Sequence, residues 1–175
     1  QDLPLVAPSP ADNPATPAKT ELGRRLFHDK RLSLTGDVAC ASCHDLQGQA
    51  GADGRTTALG INRQMGRRNT PTVWNAAFQT RLFWDGRAAS LEEQALGPIT
   101  NPVEMGMPDV EAAVRRLAKD ADYREAFSRA FGANDQGEPV TAERLAAALA
   151  AFERTLITAD APFDRFVRGD TRALT

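Results

Sequence analysis

The sequence predicts an all-α fold in which short helices are joined by long loops. Three observations carry that expectation. Apolar residues recur at helical spacing behind recognisable capping residues, most plainly from residue 90 onward. No segment alternates apolar and polar side chains as a half-buried strand would. Residues 45–69 hold Gly48, Gly51, Gly54, Gly60 and Gly66 with little apolar content. So long a stretch without periodicity inside a compact domain is usually disordered or functional.

Taken in order, residues 1–16 read as an extended arm, marked by Pro4, Pro8, Pro10 and Pro14. Residues 17–175 then read as a single domain. Thr16-Pro17 is an N-cap with proline at the first helical position; its helix runs to about Asp29, with Leu22, Leu26 and Phe27 on one face. Cys40 to His44 are expected on a short helix, and Thr70-Pro71 opens another that carries Trp74 and Phe78. Ser90-x-x-Glu93 is a capping box, starting a helix near Leu91 that ends before Gly97-Pro98. Asp109 caps a helix with Val110, Ala113, Val114 and Leu117 at helical spacing. Asp122-x-x-Glu125 begins the next, with Tyr123, Phe127, Ala130 and Phe131 inward and Gly132 past its end. Thr141 starts the longest helix, whose stripe of Leu145, Leu149, Phe152 and Leu156 belongs to the core. Pro162 opens a final turn with Phe163 and Phe166.

The 175 residues are 42% hydrophobic and 25% charged, the balance of an ordinary globular chain. Such a chain buries roughly two-thirds of its unfolded surface and needs no disulfides. A formal charge of −2 without a basic block argues against nucleic-acid binding, which needs a concentrated positive face. No apolar run reaches the roughly 18–20 residues of a membrane span. No signal peptide is visible, so the chain reads as a mature exported form or a cytoplasmic one.

The cysteines decide between these. The only two lie in Cys40-Ala41-Ser42-Cys43-His44, which is C-x-x-C-H, the attachment signature of c-type haem. Each thiol can add to one vinyl group of the same porphyrin, and His44 is then held beneath the iron as its axial ligand. A dithiol redox pair is expected beside a βαβ pattern that this sequence lacks. A four-ligand zinc site needs more donors than His28, the one other histidine, supplies. The expected cofactor is therefore one covalent haem c in a c-type cytochrome-like domain. Its attachment uses both thiols and takes place outside the cytoplasm, so a periplasmic location is expected, with Gln1 the first residue after signal removal.

Separated blocks of the chain resemble, in order, the N-terminal haem domain of the bacterial cytochrome c peroxidase and MauG family. They are Leu22-Gly23-Arg24-Arg25-Leu26-Phe27, the Cys40–His44 site, Arg68-Asn69-Thr70-Pro71-Thr72 and Phe83-Trp84-Asp85-Gly86-Arg87-Ala88. Glu93-Gln94-Ala95, Asn101-Pro102-Val103-Glu104-Met105 and Pro162-Phe163-Asp164-Arg165 follow. Members carry two haem domains, the first handling hydrogen peroxide and the second feeding in electrons. The resemblance is to the first, leaving open a fragment, a single-domain relative or one subunit of an assembly.

The resemblance also assigns roles. Peroxide reduction needs a base that takes a proton from the near oxygen and returns it to the far one, so that water is expelled. Glu104 falls where the family places that acid–base glutamate, and Gln94 where it places a hydrogen-bonding partner. On composition alone both would be solvated surface residues. Many relatives have a histidine as resting sixth ligand where this chain has Ile61, and isoleucine cannot ligate iron. In that respect the loop resembles the MauG branch, in which the iron stays open. Met65, Met105 and Met107 are the only thioethers, and ligation by one of them would make an electron carrier instead. Trp84 matches the tryptophan that relatives place between their haems as an electron relay, whereas Trp74 reads as packing. Asn69 matches a residue of an interdomain calcium site, several of whose six to eight or so oxygen ligands come from the second domain. Arg68 and Arg87 are candidates for haem propionates or for surface ion pairs, and His28 for the exposed end of its helix. The expected function is reduction of hydrogen peroxide with electrons from a donor protein or second haem domain. The alternatives are a monohaem electron carrier with a methionine sixth ligand and a MauG-like oxidase of a protein partner.

Overall fold

A computed structural model describes residues 3–132 and 137–174. Among them lie seven α-helices: α1 (Pro17–Phe27), α2 (Cys40–Cys43), α3 (Leu91–Thr100), α4 (Val110–Ala118), α5 (Ala121–Phe131), α6 (Ala142–Glu153) and α7 (Pro162–Val167). Single 3-10 turns occur at Lys30–Leu32, Ile61–Arg63 and Ala76–Phe78. The described residues contain no strand, only the isolated bridges Asp45–Ala52, Leu59–Met65 and Leu82–Ala88. The chain is all-α with long loops, as its sequence predicts.

Side-chain caps set most helix starts. Thr16, Ser90, Asp109 and Thr141 accept from the backbone N–H groups of Lys19, Glu93, Ala112 and Arg144 respectively, satisfying donors that have no partner inside the helix. Three sequence expectations are corrected. The cap of α5 is Asp120, two residues before the expected Asp122; it accepts from Asp122 N. Helix α3 does not stop before Gly97-Pro98 but continues to Thr100. Its last turn tolerates Pro98 because the following loop closes the end: Met105 N donates to Pro98 O at 3.3 Å and Met107 N to Ile99 O at 2.9 Å. Residues 70–73 are extended rather than helical, and Trp74 precedes a single 3-10 turn. Proline disfavours helical geometry in the residue before it, and the extended strip is held elsewhere. Val73 N donates to Gly51 O at 3.0 Å and Thr72 Oγ1 to Ala50 O at 2.6 Å.

Helix α6 is the axis of the core. Leu145, Ala148 and Leu149 are fully buried, and α6 packs chiefly on α1 and α3. Gly23 lets α1 approach closely: a Cβ there would stand 1.9 Å from the Ala148 carbonyl oxygen. The arm is pinned to this core through buried Asn13, whose Nδ2 donates to Glu92 Oε1 (2.8 Å) and Ala147 O (3.0 Å). Glu92 in turn receives both terminal guanidinium nitrogens of Arg154, at 2.7 and 3.0 Å. On α7, Phe163 and Phe166 face solvent.

Candidate haem site

A cavity of about 660 Å³ lies between α2 and the extended strip 70–73 on one side and the C-terminal half of α3 with its following loop on the other. Its size falls within the roughly 300–1,000 Å³ of small-molecule and cofactor pockets. Phe27, Leu149 and Glu153 reach it from α1 and α6. Residues from 27 to 153 thus line one cavity.

The attachment turn forms because residues 40–43 close a single helical turn: Ser42 N donates to Ala39 O (2.9 Å) and His44 N to Cys40 O (2.9 Å). Ser42 Oγ closes the start by accepting from Ala39 N at 3.0 Å. A spacing of three puts both cysteines on one helix face, and both line the cavity with His44. Burial pushes the Cys40 thiol up to about 12 and Cys43 up to about 11. Thiols held in the neutral form are unlike the depressed thiolates of redox or metal-binding cysteines. Among the described residues no three His, Cys, Asp or Glu are grouped as for a metal ion.

His44 Nδ1 faces the Gly51 carbonyl oxygen at 3.1 Å. A carbonyl only accepts, so Nδ1 carries the proton and Nε2 keeps its lone pair. Burial holds the imidazole pKa below its usual value, keeping the ring neutral, as ligation requires. Thr70 Oγ1 is buried without a partner, and Thr70 lines the same cavity; such an orphan calls for a polar group from outside the chain. Two neutral thiols, an imidazole whose Nδ1 is held by a backbone carbonyl and an orphaned hydroxyl on a largely apolar wall fit one covalent haem c.

Gln94 and Pro98 of α3, with Asn101 and Glu104 of the loop that follows it, line the same cavity. Burial raises the Glu104 carboxyl above its usual pKa, with the Arg87 charge pulling it back. The side chain that holds Glu104 is Asn101, whose Nδ2 donates to Oε1 at 2.7 Å. Gln94, the hydrogen-bonding partner implied by the resemblance, lines the cavity, and among the described residues no hydrogen bond joins it to Glu104.

The remaining candidates divide. Met105 is buried on the wall; Met65 reaches the wall although 71% exposed; Met107 is buried in the core away from it. Ile61 is also a core residue off the wall, tied to the distal loop through its N–H to Glu104 O at 2.9 Å. Trp84 lines the cavity yet is 61% exposed, and its Nε1 donates to Asn69 O at 2.8 Å. Asn69 is exposed, with its Nδ2 donating to the Arg55 carbonyl. Trp74 packs against the core. Arg68 and Arg87 both line the cavity and both pair with Asp85, at 3.5 and 2.8 Å. His28 caps α1 on the surface, away from the cavity.

Three residues escaped the sequence reading. Asn101 carried a signal, since asparagine readily bonds the backbone two residues on. Glu153 lay inside the apolar run of α6, where its charge was the clue. Gly60 passes against the distal loop so closely that a Cβ would stand 1.8 Å from Val103 O; no local pattern marks such a crossing.

A family model described as di-haem cytochrome c peroxidase matches residues 17–172. The chain is 42% identical to the cytochrome c peroxidase Ccp of Escherichia coli K12, over 97% of its own length and 35% of that protein's. It is 46% identical to the methylamine utilization protein MauG of Methylophilus methylotrophus, over 95% of its length and 48% of that protein's. Among solved structures, a MauG-like protein associated with microbial copper homeostasis superposes with a TM-score of 0.85 at 36% identity, over 97% of this chain and 49% of the other. The dihaem peroxidase BthA of Burkholderia thailandensis gives 0.74 at 25% identity, over 95% and 48%. The chain therefore spans about a third to a half of the length of these relatives.

Proposed function

This chain belongs to the di-haem cytochrome c peroxidase family, and from that premise we propose that residues 17–175 form one periplasmic haem c domain that reduces hydrogen peroxide. Electrons come from a donor protein or a second haem domain. Cys40 and Cys43 would hold the porphyrin through thioethers, and His44 would ligate the iron. When bound, the haem supplies the electrons that O–O cleavage consumes. The protein's own part is proton management. Glu104 accepts a proton from the near peroxide oxygen and delivers it to the far one, so that water rather than hydroxide departs. Gln94, whose side chain has no protein partner among the described residues, is available to orient the peroxide. The apolar side chains of Ala95, Pro98 and Phe83 limit the water that competes for the site.

One observation carries this reading: a buried carboxyl of raised proton affinity lines the same cavity as an imidazole whose Nδ1 proton goes to a backbone carbonyl. Glu104→Gln keeps the shape and removes the base. Its reaction with peroxide, followed by stopped flow, is expected to slow by roughly 10²–10⁴-fold while the ferric spectrum barely changes. An unchanged rate would end the assignment. A low-spin ferric protein with a methionine-to-iron band would instead put Met105 in the sixth position and make the domain an electron carrier.

A second reading, oxidation of a protein partner as in a MauG-like oxidase, is favoured by Trp84, which touches the cavity and the solvent at once. Asn69, beside Trp84 on the surface, is the candidate for an interdomain calcium ion whose other ligands lie on a second domain.

A further inference from the structure

We propose that Asn101 is the positioning residue for this chemistry: it fixes Glu104 by one carboxylate oxygen and leaves the other without a hydrogen bond among the described residues. The inference rests on the reading of Glu104 as the acid–base group. Asn101 follows the end of α3, where its own N–H donates to Pro98 O at 3.3 Å. Its carbonyl accepts from both Glu104 N (3.1 Å) and Gly106 N (2.8 Å). The side-chain Oδ1 accepts from Val103 N at 3.0 Å, and Nδ2 donates to Glu104 Oε1 at 2.7 Å.

These bonds remove the usual ambiguity in an amide. Val103 presents an N–H, so the oxygen must face it, and the NH₂ group must then face the carboxylate. From the other side, Ile61 N holds the Glu104 carbonyl, so the glutamate is gripped through backbone and side chain together. Its Oε2 has no hydrogen bond among the described residues and remains to exchange a proton in the cavity. An N–H given to a carboxylate favours its ionised form. The bond holds Oε1 in place, so the lone pairs that can exchange a proton in the cavity are those of Oε2. The charged and titratable groups acting on this corner are Arg87, from the loop closed by the Leu82–Ala88 bridge, and Cys43 of α2.

Two substitutions in the haem-loaded protein isolate the bond from the turn. Asn101→Asp retains an acceptor for Val103 N–H but sets a second carboxyl against Glu104. Asn101→Ser retains a shorter acceptor and has no group that reaches Glu104. The rate with peroxide is measured across pH, and the Glu104 carboxyl is titrated by infrared difference, its band identified by loss in Glu104→Gln. In Asn101→Asp both the rate profile and the band are expected to move up by about one pH unit or more. The variant then reacts about tenfold slower on the acid side and recovers at high pH; Asn101→Ser shifts the same way by less. A band that titrates at the parent's pH in both variants, or a rate depressed equally at every pH, would overturn the proposal. Should Glu104→Gln react as fast as the parent, the acid–base reading falls, and the infrared titration still decides whether Asn101 controls Glu104.

Discussion

Glu153 ends α6 with a carboxyl that is 7% exposed and lines the haem cavity. Burial pushes it up to about 8, with Arg154 lowering and Glu92 raising it. Arg154 gives little relief because its guanidinium is committed to Glu92. A carboxyl whose folded pKa exceeds its unfolded value binds its proton more tightly when folded. Stability is thus full below about pH 4.5 and falls as pH rises toward about 8. Glu153→Gln is expected to match the parent near pH 4.5 and to exceed it at pH 8.5 by on the order of 2–4 kcal/mol. Thermal unfolding at several pH values checks this, and curves that stay parallel would contradict it. Neither Glu153 nor Glu104 was legible from composition, which favours exposure for any glutamate. Only the resemblance singled out Glu104, and nothing local announced its Asn101 partner as a donor.

Helices were easier to read than their ends. The caps at Thr16, Ser90, Asp109 and Thr141 are local chemistry, so their residues announced four starts correctly. The end of α3 was misjudged because backbone groups seven to eight residues downstream satisfy its last carbonyls, a tertiary effect invisible in the window around Pro98. Closest approach between helices is equally non-local. Gly23 sits inside a block noticed only for its resemblance, yet it sets the spacing of α1 and α6. A Cβ there meets the Ala148 carbonyl at 1.9 Å and Phe152 Cβ at 2.8 Å, both rigidly held. Gly23→Ala must therefore separate the helices despite alanine's better helix propensity. The expected cost is about 1–3 kcal/mol, the range of overpacked cores. The Phe27 ring, one turn on, lies tilted at 43° with its centroid 6.3 Å from that of His44, so the Soret band is expected to shift as well. An equal or higher melting temperature would show that the two helices separate without loss.

At the scale of the whole molecule, the cavity is part of the core. Its walls come from α1, α2, α3, α6 and the long loops between residues 45 and 90, and those loops contain only isolated bridges and single turns of their own. Residues 45–69 lacked periodicity because they are held by loop hydrogen bonds and, at Ala58 and residues 65–69, line the cavity, whereas a sequence window records only their own side chains. A cofactor tied to Cys40 and Cys43 would join the two sides of this cavity and bury apolar surface that the helices cannot cover alone. Replacing both cysteines by serine tests the attachment and this structural role together. The parent is expected to carry haem through denaturing electrophoresis, because thioethers survive unfolding, and the double variant to lose it. Helix α1 packs on both α5 and α6, and α6 on α3, without α2, so far-ultraviolet circular dichroism of the variant should retain most of its helical signal. Its melting temperature is expected to fall by more than about 10 °C, corresponding to at least about 2–3 kcal/mol for a domain of this size. Haem that still migrates with the variant would refute covalent attachment through these sulfurs. A haem-free variant as stable as the parent would show that the loops hold their fold without the cofactor.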